Sequence, residues 1–266
     1  MNDRIQHFRS MVLGLMISIL LVMTGGLSAQ AQLDAPSISD HYFESGIRLY
    51  QAGQLPEAKR AFEQALLLNP QELDAHNNLG SIKAQLGDPK GALEDFRAEL
   101  ALNPNQTNSP RIFHNIGNSL LALGQPEEAI IAFEAALKRD PNLIESHISL
   151  AGALHQLGHD RQAQIQLELA LKLEPENPRA NHDLAVLERA HFPQKALQRL
   201  HLALSVRPHW SEAHNSLALT LIQLEQWDLA LSEFRVALLW DPEAKIIQHN
   251  LGRLLELLKE ERVVYC

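Results

Sequence analysis

The chain has 266 residues, 45% of them hydrophobic and 21% charged, with a formal net charge of −9. That balance, without any long Lys/Arg run, speaks against an obligate nucleic-acid binder, because such a surface repels phosphate unless a basic face is segregated. The single cysteine, Cys266, is the last residue, which rules out an internal disulfide framework and argues against thiol catalysis.

Residues 1–31 read as a secretory signal peptide. Arg4 and Arg9 form a positive start, Met11–Met23 is an apolar run interrupted only by Ser18, and Ala29-Gln30-Ala31 has the small-x-small form of a cleavage site. The run is shorter than the ~20 residues a spanning helix needs, so no stable membrane span is expected after cleavage. The expected location is periplasmic or extracellular, the alternative being an N-terminal membrane anchor if the segment is retained. A short linker, residues 32–38, follows.

From residue 39 the sequence repeats. Helix-ending prolines fall at Pro70, Pro104, Pro141, Pro175, Pro208 and Pro242, at spacings of 34, 37, 34, 33 and 34 residues. Before each runs a helical stripe of a small residue, a large one and a second small one, as in Ala58-Phe62-Ala65, Ala129-Phe133-Ala136 and Ala163-Leu167-Ala170. The preceding helix of each unit carries a pair such as Leu79-Gly80, Ile116-Gly117 or Leu150-Ala151. Between the two helices stand turn glycines, Gly53, Gly87, Gly124 and Gly158. Six units result, residues 39–72, 73–106, 110–143, 144–177, 178–210 and 211–244. A lone polar-faced capping helix is expected over 245–261, with a tail at 262–266.

Three irregularities stand out. Glu99 replaces a packing alanine, and is expected to turn to the surface or loosen a layer. Thr107-Asn108-Ser109 is an insertion. The fifth unit is one residue short around Arg189–Gln194 and has no turn glycine.

Period, Leu-Gly pair, Ala…Phe…Ala stripe and closing proline together resemble the tetratricopeptide repeat (TPR) family. The resemblance implies an all-α fold, a right-handed superhelical solenoid of antiparallel helix pairs in a TPR-like array. It also implies that the first helix of each pair lines a concave groove where partner segments bind. Carried onto this chain, the central lining is Asn77, Asn78, Ser81, Arg111, His114, Asn115, Asn118, His155, Arg179, His182, Asp183 and Arg189. Asn pairs with an extended peptide backbone, and Arg holds a carboxylate bidentately.

No nucleotide-binding, zinc-protease or serine-hydrolase motif is present, and no enzyme activity, cofactor or metal site is read from the sequence. His76, His147 and His214 are expected to be interhelix packing residues with one satisfied nitrogen. His114, His182 and His249 lie on helices two units apart, roughly 20 Å, too far to share a metal. The sequence therefore points to a non-enzymatic scaffold for protein–protein interaction, serving assembly or maintenance of a cell-envelope or secretory-compartment complex. Its partner is a protein or peptide, not nucleic acid. Two alternatives stand beside it: a structural protein self-associating through its terminal helices or Cys266, and an accessory subunit of an envelope glycan-processing or secretion machine.

Overall fold

The computed structural model describes residues 37–72, 74–102 and 109–264, with side chains of the last helix described through Lys259. The signal segment, most of the insertion and Cys266 lie outside the described residues. The chain divides into two compact units, Met1–Glu72 and Leu73–Cys266. In the first, α1 (Ile38–Gln51) pairs with α2 (Leu55–Leu68). The second holds five hairpins: α3 (Ala75–Gln85) with α4 (Pro89–Leu102), α5 (Pro110–Ala122) with α6 (Pro126–Arg139), α7 (Ile144–Gln156) with α8 (Asp160–Leu173), α9 (Pro178–Glu188) with α10 (Pro193–Val206), and α11 (Ser211–Gln223) with α12 (Trp227–Trp240). The final helix, α13 (Lys245–Val264), packs on α12. Among the described residues there is no strand, and no helix is long and apolar enough to cross a membrane.

The punctuation works as its chemistry requires. Gly53, Gly87, Gly124 and Gly158 take positive φ between 72° and 81°, which lets the chain reverse without a Cβ clash. In the sixth hairpin Glu225 occupies that conformation at φ 60°. Proline opens α2, α4, α6 and α10, where a missing N–H costs nothing. The stripe residues of every second helix, such as Ala129, Phe133 and Ala136, are buried.

Within the second unit successive first helices touch one another, α3 with α5, α5 with α7, α7 with α9 and α9 with α11. Among the described residues no pair of second helices makes comparable contact. The stack is therefore tighter on the first-helix side, which makes that side the concave one.

Three expectations need correction. Glu99 neither turns outward nor loosens its layer. It is only 2% exposed, and its carboxylate accepts hydrogen bonds from the backbone N–H groups of Asp74 and Asn77 at the start of α3. A buried anion at the positive end of a helix satisfies donors that have no partner in the helix itself.

His147 and His214 engage both ring nitrogens, not one. Nδ1 meets Gln166 or Glu233 on the paired helix, and Nε2 meets the carbonyl of the closing proline, Pro141 or Pro208. Asn181 and Gln248 donate to Pro175 and Pro242 from the same slot, so this bond recurs from hairpin to hairpin.

The capping helix runs to Val264, and its outer face is not wholly polar, since Ile246, Leu255 and Leu257 are exposed.

The short fifth hairpin is held by a charge. Glu188, the last residue of α9, is 3% exposed and sits 2.6 Å from Lys195 Nζ and 2.7 Å from Arg199 Nε on α10. The second hairpin uses the same two slots with the signs reversed, Lys83 lying 2.6 Å from Asp95.

Candidate functional site

The concave side of the second unit is built from α3, α5, α7, α9 and α11. On α3, Asn77 and Asn78 are half-buried, and Asn77 spends its N–H on Glu99. Ser81 donates back to the Asn77 carbonyl. On α5, Arg111 and Asn118 are exposed, and Asn115 is half-buried, its carbonyl accepting from Ser119.

His114 is drawn into the structure instead of facing out. Asn118 Nδ2 donates to its Nε2 at 2.9 Å, and its Nδ1 lies 2.9 Å from Ser146 Oγ on α7. These bonds suit the neutral ring with its proton on Nδ1. The pKa of His114 is held below the ordinary 6.5, chiefly by burial, with Glu145 opposing the shift and Arg179 adding to it. A depressed histidine contributes stability that is complete above pH 6.5 and is lost as pH falls through the folded value. Replacing His114→Gln should flatten that acid-side loss, read as unfolding midpoints from pH 7.5 down to about 5.

His182 makes a similar strut. Its Nδ1 is 2.8 Å from Asp183 Oδ1 on α9, and its Nε2 is 3.0 Å from Ser216 Oγ on α11. The order Asp-His-Ser is that of a hydrolase triad, but Ser216 sits inside a helix and is only 7% exposed. The backbone N–H groups beside Ser216 lie within α11 and are committed to its hydrogen-bond ladder, so they do not form an oxyanion hole. One unit on, Asn250 donates to Asn215 across the same pair of slots at 3.0 Å, which identifies the arrangement as an inter-hairpin tie.

Arg179 pairs with Asp183 at 3.6 Å. Arg189 caps the end of α9 half-buried, and desolvation lowers its pKa.

Three of the expected lining residues, His155, His182 and Asp183, come together around a cleft of about 260 Å³ between α7 and α9. Its floor is apolar, from Leu167, Val186 and Leu187, and Gly152 forms part of the wall. His155 Nδ1 is fixed at 2.6 Å from Asp160, leaving Nε2 on the rim. The volume lies just under the ~300–1,000 Å³ of small-molecule pockets and suits one or two inserted side chains.

Sequence reasoning missed Gly152, Val186 and Leu187. Gly152 carried a usable signal: a glycine inside a helix costs ~1 kcal/mol relative to alanine, and a Cβ built there meets nothing within 4 Å. Among the described residues no cluster of three or more His, Cys, Asp or Glu is placed to hold a metal.

Two family models, both described as tetratricopeptide repeat, match residues 43–107 and 110–143. Tetratricopeptide repeat protein 36 of Danio rerio is 38% identical over 64 residues, which is 24% of this chain and 34% of that relative. The match thus spans about a third of the relative's length. Among solved structures, PilW, titled a widely conserved type IV pilus biogenesis factor, aligns with TM-score 0.70 and 21% identity over 82% of this chain and 100% of its own. YrrB, titled a TPR protein with an unusual peptide-binding site, aligns with TM-score 0.53 and 19% identity over 71% of this chain and 97% of its own. At these identities the two structures speak to the fold.

Proposed function

From residues 43–107 and 110–143 as tetratricopeptide repeats, a fold whose partners are proteins or peptides, we propose that this chain is a scaffold holding an extended partner segment on the concave side of its second unit. The observation that carries this reading is the α7–α9 cleft, an apolar floor with a rim of His155, Gln156, His182 and Asp183. Its polar approach comes from Arg111, Asn115 and Asn118 on the neighbouring α5. A partner side chain enters the cleft, and the amides of α5 hold the adjoining backbone. His114 supports the site from behind, tied to Ser146, and His182 is held in place on the rim by Ser216. Export by residues 1–31 and work in the cell envelope belong to the same proposal, supported by the form of that segment.

Gly152 provides the test. Gly152→Trp fills the cleft from a position with open space around it, and removing a helix-interior glycine does not weaken α7. Peptides selected from a random display library on the wild-type chain should bind Gly152→Trp at least tenfold more weakly in a titration. Undiminished binding, with the variant's melting unchanged, rejects the cleft.

A further inference from the structure

In hairpins one to three the glycine of the first helix is covered by the phenylalanine of the second. A Cβ built at Gly46, Gly80 or Gly117 lies 2.9, 2.8 or 2.5 Å from Phe62, Phe96 or Phe133. The corresponding residue of α13 is Gly252, at which a Cβ meets nothing within 4 Å. One turn further on, the leucine slot tells the same story. Leu120, Leu154 and Leu221 are buried by their own second helices, whereas Leu255 is 39% exposed. The opposite face of α13 is spent, because Ile247 and Leu254 are buried in the core it shares with α11 and α12. So α13 is a first helix whose second-helix seat, Gly252 and Leu255 beside half-buried Leu251, is open among the described residues.

The chain itself shows what such a seat holds. Every equivalent face is covered by an antiparallel helix with a small residue, a large apolar residue four positions on, and another small or buried residue three beyond that. Where the seat is glycine, the large residue is phenylalanine. Several of these second helices also begin with acidic residues, Glu57, Glu127 with Glu128, Asp160 and Asp228. On α13 the matching end carries exposed Lys259 together with exposed Glu256, so charge does not select the partner's first turn.

We propose that the open face of α13 docks an amphipathic helix of a partner protein bearing an Ala-x3-Phe-x2-Ala stripe, whose phenylalanine seats on Gly252. This is helix-in-groove recognition, with the groove formed by the open face of α13 and its neighbour. It does not depend on the concave cleft.

The probe is a hydrocarbon-stapled, fluorescein-labelled helix with the sequence of residues 126–139, the staple on its solvent face, titrated into the full chain by anisotropy. Stapling removes the helix-ordering cost that makes a 14-residue helix marginal in water. We expect saturable binding, weakened at least tenfold when the probe's phenylalanine is alanine, and likewise by Gly252→Leu or Leu255→Lys in the protein. Gly252→Leu has room to fold, and retained thermal melting confirms that it does. Absence of saturable binding to the wild type, or binding indifferent to Gly252→Leu, overturns the proposal. So does a homodimer of the wild type in sedimentation that Gly252→Leu dissolves, since the face then belongs to a second copy.

Discussion

Phe133→Ala is expected to destabilise the second unit by about 4 kcal/mol, among the largest losses available to one side chain in this fold. Phe133 is fully buried and lies against Gly117, with His114 at 5.6 Å between ring centroids. Its removal leaves a cavity between α5 and α6 beside the His114 ring. The reciprocal change, Gly117→Ala, forces a Cβ to 2.5 Å from the Phe133 ring. Overpacking of this kind costs ~1–3 kcal/mol, partly offset by the ~1 kcal/mol that alanine gains over glycine in a helix. The double change Gly117→Ala with Phe133→Leu recreates the Ala151–Leu167 and Ala185–Leu200 combinations of the fourth and fifth hairpins, in which both members are buried. It should recover most of the loss, appearing as a favourable coupling in a double-mutant cycle of urea midpoints. Additive losses would show that glycine and phenylalanine are not fitted to each other.

The second large effect concerns Glu188. Removing both of its cations, Lys195→Ala with Arg199→Ala, strands a carboxylate that is 3% exposed and should cost about 3–5 kcal/mol. Removing the pair is expected to be far milder. Glu188→Leu with Arg199→Ala installs the Leu120–Ala132 combination of the third hairpin, and apolar replacement of a buried ion pair is often neutral, within ~1 kcal/mol here. Comparing the two double variants by chemical denaturation separates a charge retained for packing from one retained for specificity. Equal losses in both would mean that the short turn itself depends on the ion pair.

Much of the architecture was open to sequence reading because its signals are local. The proline after each second helix, the turn glycines and the Ala129-Phe133-Ala136 stripe each report a backbone or packing requirement within one hairpin. Glu99 and Glu188 were opaque for the opposite reason. An acid in a packing slot looks like a fault until its partners are located, and those lie 22–25 residues back for Glu99 and 7–11 residues on for Glu188. One signal was present: Lys83 with Asp95 and Glu188 with Arg199 occupy the same two slots with opposite signs. The candidate site was legible only in part. His155 and His182 followed from the helix face, but the cleft they share needs the spacing between α7 and α9, which no single repeat encodes. The same spacing turned His114 and His182 from groove donors into ties between helices.

Hydrogen exchange on the wild-type chain with and without a library-selected peptide tests the central claim most directly. Binding on the concave side predicts added protection in α5, α7 and α9, centred on residues 152–156 and 182–187, and loss of that protection in Gly152→Trp. Protection confined to the second helices or to α13, with α7 and α9 unchanged, would contradict it.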